Sequence, residues 1–238
     1  MEEKRLHKSI IITALTICCL AVVTGFIIFI FFKPISPQKI YSNSLSRVVE
    51  LRASSEGGGE SFGSAVFVNE DGMLVTNAHV VTYSAVDGRR CFEKYEIRFA
   101  TENIYRKIEL IRFDEELDLA LLKLKDDCKF KCVEMGDSDE LKAGDTVYAI
   151  GNALNYGISI TQGIVSIPLL NIEHENTSRK AIQCDLTINE GNSGGAMFDG
   201  KGRLVGITTF RTKNNYGETV YGIAYCIPIN SVKAFLAN

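Results

Sequence analysis

The chain begins with a long apolar run and then changes to short segments in which apolar and polar residues alternate. Residues 9–32 carry no charged side chain and are rich in Ile, Leu, Val and Phe. From Ser64 onward, segments with an apolar residue at every second position recur between turns that contain glycine. A period of two is typical of half-buried β-strands, whereas amphipathic helices repeat apolar residues every three or four positions. The pattern therefore predicts one apolar helix followed by many short strands.

The apolar run at residues 9–32 is long enough to cross a bilayer as a helix, which takes about 20 residues. A short tail with Lys and Arg, residues 1–8, precedes it. A cleaved signal peptide, the alternative, has an apolar core of about 7–15 residues that ends at small residues, and residues 29–34 contain no such site. The run therefore predicts an uncleaved transmembrane signal anchor. Basic residues on its two sides nearly balance, so charge indicates its orientation only weakly.

Strands are predicted wherever the alternation is clear. Residues 33–59 are polar and end in a run of Ser, Glu and Gly, which predicts a linker and the start of the folded domain. The first hairpin joins Ser64–Asn69 to Met73–Thr76 through a glycine turn. A terminal helix is predicted over residues 230–237, with Asn230 as its cap. The remaining predicted strands lie at residues 95–99, 104–113, 117–124, 146–150, 158–166, 180–186, 196–198, 204–209 and 220–227.

Many short strands with little helix predict an all-β fold for residues 60–238. A polar turn around residues 136–145 divides this part into two halves with the same pattern. Two β-barrels of about six strands each, packed side by side, would use the available length. We place them at about residues 60–135 and 140–228.

Composition excludes several classes of function. The 238 residues are 46% hydrophobic, which is enough to fill a core, and 23% charged, which is ordinary for a globular protein. The net charge is −3 and no basic run follows the N-terminal tail, so the sequence argues against nucleic acid as a partner.

Cysteine usage predicts neither a disulfide framework nor a metal site. Five cysteines follow the apolar run, and an odd number argues against complete pairing. Cys128 and Cys132 have a spacing that metal ligands sometimes share, but no histidine lies nearby. We therefore interpret the cysteines as buried or incidental thiols and predict no metal or cofactor.

The stretch at residues 189–195 contains three glycines around Ser193. Glycines cluster where the backbone adopts conformations closed to other residues or approaches another group closely. A serine on such a turn can expose its hydroxyl while its own N–H and that of Gly191 point into one small space. Acyl transfer requires this arrangement of a nucleophile beside two oxyanion donors. From these residues alone, an ordinary glycine-rich turn remains the alternative.

A base and an orienting acid are available elsewhere in the chain. His79 directly follows a predicted strand and precedes two valines, although a lone histidine among apolar residues is more often a core residue with satisfied hydrogen bonds. Asp118 lies inside an otherwise apolar segment, and a buried carboxylate is costly without a partner. A histidine N–H would be such a partner. The order His79, Asp118, Ser193 is the order found in chymotrypsin-like proteases.

The chain resembles the HtrA/DegP-like (Do-like) branch of the trypsin-fold serine proteases. The resemblance covers about residues 46–237 and implies a chymotrypsin/trypsin-like double β-barrel with serine endopeptidase activity. It further implies protein or peptide substrates, and a role in extracytoplasmic protein quality control or processing. The matching motifs are at residues 63–81, 118–124, 136–152, 161–166 and 183–195.

The resemblance also implies roles for individual residues. Ser193 would be the nucleophile, His79 the general base and Asp118 the residue that orients His79. The N–H groups of Gly191 and Ser193 would form the oxyanion hole. No acidic residue lies near the expected substrate pocket, which favours a small or medium aliphatic side chain in the substrate. The pocket would be walled by Thr187, Ile188, Thr208, Thr209 and Phe210, together with the strand at residues 222–226.

Two departures from related patterns affect regulation. Asn192 stands where zymogen-activated trypsins have an aspartate that pairs with a new N-terminus, so control is expected from ordering of the loops at residues 154–156, 170–180 and 211–219. HtrA-like proteins usually continue into PDZ domains, and this sequence does not, so capture of substrate by a PDZ domain is not expected.

The resemblance also predicts the membrane topology and the assembly of the protein. It implies a single-pass membrane protein with a cytoplasmic N-terminus, an extracytoplasmic protease domain and a homotrimeric assembly. The competing hypothesis is a catalytically silent trypsin-fold module that binds partners at the membrane, because a fold alone does not guarantee activity.

Overall fold

The computed structural model describes residues 2–32, 35–86, 88–126, 128–174, 177–213 and 219–238. The chain forms two compact units, Met1–Ile35 and Ser36–Asn238. Helix α1 (Glu2–Phe32) makes up the described part of the first unit, so it begins already inside the predicted tail. Its segment Arg5–Phe26 is long and apolar enough to cross a membrane.

Two closed antiparallel barrels make up the core of the second unit, as the alternating pattern predicted. In the first half the strands are β1 (Val48–Ser54), β2 (Glu60–Phe67), β3 (Met73–Thr76), β4 (Thr82–Ala85), β5 (Gly88–Cys91), β6 (Lys94–Arg98), β7 (Arg106–Asp114) and β8 (Leu119–Lys123). In the second half they are β9 (Thr146–Gly151), β10 (Ser159–His174), β11 (Thr177–Cys184), β12 (Ala196–Asp199), β13 (Leu204–Lys213) and β14 (Thr219–Pro228).

The first barrel has the strand order β1-β2-β3-β8-β7-β6, and the second has the order β10-β11-β14-β13-β12-β9. Strands β4 and β5 form a separate two-stranded sheet. Short helices lie at the edges: α2 (Pro37–Ser44), α3 (Ala78–Val81), α4 (Ile229–Ala237), and 3-10 turns at Ser138–Glu140 and Ala153–Asn155.

Each barrel is filled by the inward-facing residues of its strands. Phe67, Leu74 and Leu122 are completely buried in the first barrel, and Ile182 and Met197 in the second. Full burial of one such side chain contributes about 1.5–3 kcal/mol to folding. The period of two in the sequence follows from this packing, because alternate side chains point to the core and to solvent.

The polar-linker interpretation of residues 35–59 was wrong for much of that segment. Helix α2 and strand β1 occupy it, and β1 pairs with both β2 and β6 to close the first barrel. Charged residues interrupt the apolar pattern of β1, so the sequence did not indicate a strand here. Glu50 is almost fully buried, and its carboxylate accepts a hydrogen bond of 2.6 Å from the guanidinium of Arg98.

The C-terminal helix and two predicted loops also differ from expectation. Asn230 does not cap α4, because the helix begins at Ile229 with Pro228 at the cap position. The Asn230 side chain instead donates a hydrogen bond of 2.7 Å to Asp137. The expected mobile loops at 170–180 and 211–219 consist largely of β10, β11, β13 and β14, while residues 175–176 and 214–218 lie outside the described residues.

Candidate active site

His79 and Asp118 are brought together by the pairing of neighbouring strands. His79 lies on α3, which directly follows β3, and Asp118 lies in the turn directly before β8. Thr76 at the end of β3 pairs with Ala120 in β8, so the residues beyond each strand are adjacent. The sequence placed Asp118 within the apolar segment, whereas the structure gives it a left-handed backbone with φ of 54° before the strand begins.

The side chains of His79 and Asp118 are in direct contact. His79 Nδ1 lies 2.9 Å from Asp118 Oδ2 and 3.0 Å from Oδ1. The backbone N–H of His79 also donates to Asp118 Oδ1, at 3.0 Å. Asn77 Nδ2 donates to the Asp118 carbonyl, which fixes the turn that carries the carboxylate. These contacts hold the imidazole ring in one orientation.

Asp118 is a buried carboxylate with several stabilising partners. Burial is the largest influence on its pKa and acts to raise it, but the charge of His79 and hydrogen bonds from His79 and Thr209 together bring the pKa below its ordinary value. Thr209 Oγ1 donates to Asp118 Oδ2 at 2.8 Å. The guanidinium of Arg179, itself buried, lies 3.6 Å from the same oxygen. Asp118 is therefore ionised at neutral pH.

Ser193 lies in the loop between β11 and β12 and is linked to this pair through Thr209. Its Oγ donates a hydrogen bond of 2.8 Å to the carbonyl of Thr209. Thr209 thus contacts Ser193 through its backbone and Asp118 through its side chain. Among the described residues, no hydrogen bond joins Ser193 Oγ to His79 Nε2. In enzymes without bound substrate this bond is often long, and it shortens when substrate binds.

Two glycines in the Ser193 loop cannot be replaced without a clash. Gly191 and Gly194 have φ values of 88° and 81°, which side-chain-bearing residues rarely adopt. A Cβ on Gly191 would lie 2.1 Å from the Asn152 carbonyl oxygen, and one on Gly194 would lie 2.1 Å from Thr76 Oγ1. The glycines therefore let the loop approach both β3 and the segment after β9.

The two predicted oxyanion donors have no acceptor among the described residues. In the described part of the chain, neither the N–H of Gly191 nor that of Ser193 donates a hydrogen bond to another residue. The loop is held instead by its other amides, since Gly194 N–H donates to the Thr208 carbonyl and Gly195 N–H to the Asn192 carbonyl. Both N–H groups are thus free to bind a ligand.

The residues of the expected substrate pocket have different environments. Ile188 belongs to the core of the second barrel, and Thr208 is buried with its hydroxyl donating to the Asn192 carbonyl. The ring of Phe210 packs against Tyr225 with 5.2 Å between ring centroids. Thr187 accepts a hydrogen bond of 3.4 Å from Thr161 through its carbonyl. The pocket formed by these residues stays a prediction.

Sequence reasoning did not identify Arg179 or Ser64 as neighbours of the site. Arg179 is buried between exposed Ser178 and Lys180, and its guanidinium contacts Asp118 and does not belong to the core of the second barrel. Ser64 is a small polar residue inside an alternating strand, where nothing in the sequence distinguishes it from other strand serines. In both cases the partner comes from a distant part of the chain.

No metal centre is present among the described residues, because no group of three or more His, Cys, Asp or Glu side chains comes together there. Cys184 and Cys226 are both buried, with their sulfur atoms 4.0 Å apart. Cys91 and Cys128 are free and exposed, and Cys132 is partly buried.

Comparison with known proteins gives a matching family and several relatives. The family model described as "Trypsin-like peptidase domain" matches residues 63–207. The chain is 37% identical over 173 residues to "Probable periplasmic serine endoprotease DegP-like" of Bartonella henselae, which covers 73% of this chain and 32% of that protein. It is 33% identical over 171 residues to "Serine endoprotease DegS" of Haemophilus influenzae, which covers 71% of this chain and 47% of that protein.

A solved structure titled "HtrA-type protease AlgW with tripeptide" superposes with a TM-score of 0.71 at 30% identity, covering 85% of this chain and 63% of that one. The chain thus spans between 32% and 47% of the length of these two curated relatives. Its fold is the trypsin-like double barrel that the sequence predicted. The chain therefore belongs to the trypsin-like peptidase family, and its relatives there include serine proteases of the HtrA, DegP and DegS types.

Proposed function

We propose that this chain is a serine endopeptidase that hydrolyses peptide bonds in proteins through an acyl-enzyme. The observation that carries the proposal is the contact between His79 and the buried Asp118, with Ser193 linked to Asp118 through Thr209. Membership of the trypsin-like peptidase family supports the same chemistry.

Each residue has a defined role in the proposed mechanism. Ser193 Oγ turns from the Thr209 carbonyl and attacks the substrate carbonyl, while His79 Nε2 accepts its proton. Asp118 keeps the imidazole in the correct tautomer and stabilises the imidazolium. The N–H groups of Gly191 and Ser193 bind the oxyanion, and each such donor lowers the barrier by about 2.7–4 kcal/mol. His79 then protonates the leaving amine, and water releases the acyl group.

The cellular setting is part of the proposal. Helix α1 would cross the membrane once, with the N-terminus in the cytoplasm and the protease unit outside. The apolar helix and the relative that is named a periplasmic protease support this arrangement. Within it, the enzyme would act in protein quality control or processing as a homotrimer, with a preference for aliphatic side chains. Cleavage-site profiling in which basic residues dominate would contradict that preference.

The alternative is a catalytically silent binding module. One observation favours it: the Ser193 hydroxyl is hydrogen-bonded to a backbone carbonyl, where it is not activated by His79. A serine held permanently in this way would bind peptides without cleaving them.

Proteolysis of unfolded casein by the full-length protein in detergent, compared with the Ser193→Ala variant, tests the two hypotheses. We expect cleavage by the natural chain and none above background by the variant. Equal cleavage by both proteins would trace the activity to another residue or a contaminant. Absence of cleavage by the natural chain at every pH from 5 to 9, together with retained casein binding, would support the binding module.

A further inference from the structure

Ser64 connects the first barrel to the loop that carries Ser193. It lies on β2 and is completely buried. Its N–H donates to the Ser193 carbonyl at 2.8 Å, and its Oγ donates to the Gly191 carbonyl at 2.8 Å. One residue therefore binds the carbonyl groups of both residues whose N–H groups are the proposed oxyanion donors.

The Ser64 hydroxyl is fixed by partners on both sides. While its Oγ donates to Gly191, it accepts a hydrogen bond of 2.9 Å from the N–H of Asn152, directly after β9. The Ser64 carbonyl accepts a further bond of 2.7 Å from Thr76 Oγ1. A hydroxyl that is used as donor and acceptor has no freedom to rotate, so it defines the position of the Gly191 carbonyl.

Gly191 needs such a constraint because glycine permits a wide range of backbone angles. Rotation of the peptide planes on either side of a glycine costs little, and such a rotation would misalign the Gly191 N–H with the Ser193 N–H. The plane before Gly191 is held by a 2.7 Å bond from Leu154 N–H to the Glu190 carbonyl. The plane after it contains the Gly191 carbonyl and the Asn192 N–H. It is held by the Ser64 hydroxyl at the carbonyl and by a 3.0 Å bond from Asn192 N–H to the Asn189 carbonyl. The first plane contains the Gly191 N–H, and the second leads to the Ser193 N–H. With both planes fixed, the two N–H groups keep one position relative to each other.

A purely structural role for Ser64 and a positioning role would differ in their effects on stability and on catalytic rate. If its hydrogen bonds only held the barrels together, removing the hydroxyl would lower the stability of the protein and leave the kinetics of the remaining folded molecules unchanged. A positioning role lowers the rate of the chemical step in the folded enzyme, because the oxyanion donors must be aligned before the transition state forms.

We propose that the Ser64 hydroxyl is a positioning residue for the oxyanion hole, which it holds by fixing the Gly191 carbonyl from across the barrel boundary. The inference rests on the function proposed above. According to this inference, a residue of the first barrel fixes the orientation of the oxyanion hole, although both N–H donors belong to the second half of the chain.

The Ser64→Ala variant of the full-length protein tests this proposal, with Ser44→Ala as its matched control. Ser44 is also buried, and its Oγ also donates at 2.8 Å to a backbone carbonyl, that of Ile40. Three quantities are measured: kcat and KM on casein, and the rate at which a fluorophosphonate labels Ser193. We expect Ser64→Ala to lose about 10- to 100-fold in kcat and in labelling rate at unchanged KM, since removal of a complete oxyanion donor costs about 10²–10³ in kcat. Ser44→Ala should retain both rates.

Different outcomes would contradict the positioning role of Ser64 and the proposed serine endopeptidase function. Equal kcat and labelling rates for folded Ser64→Ala and Ser44→Ala, with the natural chain active, would overturn the positioning role alone. A natural chain that neither cleaves casein nor reacts with the fluorophosphonate would overturn both. If Ser64→Ala does not fold, Ser64→Cys replaces it, because a thiol is a weaker donor of similar size. Its kcat should then lie below that of the natural chain, and an unchanged kcat would contradict the proposal.

Discussion

At the scale of single residues, Thr209 connects two members of the proposed catalytic centre, Asp118 and Ser193. Its hydroxyl donates to Asp118 and its carbonyl accepts from Ser193. The sequence placed Thr209 only among the pocket residues, because its contact with Asp118 depends on the packing of two barrels. His79 and Ser193 were recognisable from the sequence because each has a distinctive local setting. Hydrogen bonds between distant segments leave no such pattern.

Replacement of Thr209 by valine should lower kcat about tenfold and leave KM nearly unchanged, since the Asp118 carboxylate loses one of its buried donors. Thr209→Ser keeps the hydroxyl and should restore most of the activity. Both variants are assayed on casein after their thermal midpoints have been measured. Equal kcat values for the valine and serine variants would show that the Thr209 hydroxyl does not act through Asp118.

The lowered pKa of Asp118 predicts how stability responds to acid. Because the folded-state pKa lies below that of the unfolded chain, the carboxylate stabilises the fold above about pH 4, and this stabilisation is lost as the pH falls through the folded value. Asp118→Asn should therefore lose less stability than the natural chain when the pH is lowered from 7 to 3. It should also lose about 10⁴-fold in kcat.

Thermal or denaturant unfolding at several pH values measures this effect. Asp145→Asn, at an exposed position, is the control and should follow the acid response of the natural chain. Parallel acid profiles for Asp118→Asn and the natural chain would contradict the assigned cause.

At the scale of elements, strand β1 shows why part of the fold was not predictable. Glu50 and Arg52 made the segment resemble a polar linker, yet they have different environments. Glu50 is buried and paired with Arg98, whereas Arg52 pairs with Glu60 near the surface. A sequence pattern records that a residue is charged but not whether a partner on another strand compensates it.

The ion pair between buried Glu50 and half-buried Arg98 predicts a large effect of removing the arginine. Arg98→Met leaves the Glu50 carboxylate buried and unpaired, which should reduce the free energy of unfolding by about 3–5 kcal/mol. Arg52→Met, which breaks the exposed pair with Glu60, should change it far less, because solvent screens the charges of an exposed pair. Urea denaturation compares the two variants. A cost for Arg98→Met as small as that for Arg52→Met would show that β1 does not depend on the ion pair.

The Ser193 loop predicts a second contrast, between two glycines. Gly194→Ala must adopt a left-handed backbone and place its Cβ against Thr76, so it should cost at least about 2 kcal/mol of stability and abolish casein cleavage. Gly200→Ala meets no atom within 4 Å and should retain both. If Gly194→Ala had nearly the same stability and activity as Gly200→Ala, the described loop conformation would be contradicted.

At the scale of the whole molecule, the alternating pattern predicted the two-barrel fold well because each barrel core is built from strands with simple periodicity. The apolar run predicted α1 for the same reason, since a single physical property extends over the whole helix. Short helices such as α3 were not predicted, because four residues carry no periodicity that could identify them.

Helix α1 predicts tight association of the full chain with membranes. The natural protein should remain in the membrane pellet after extraction with alkaline carbonate. Replacing both Leu15 and Val22 with Arg places two charges in the apolar segment, each costing about 2.5–3.5 kcal/mol at the centre of a spanning helix, and should release the protein. Retention of this double variant in the pellet would contradict a membrane-spanning role for α1.

The most direct test of the central claim is the mass spectrometric location of a fluorophosphonate adduct on the full-length protein. An activated serine beside an oxyanion hole reacts with this reagent, whereas ordinary serines do not. We predict one adduct, on Ser193, that is absent from the Ser193→Ala variant and strongly reduced in His79→Ala. An unlabelled natural chain, or an adduct on another serine, would contradict the assignment of Ser193 as the nucleophile.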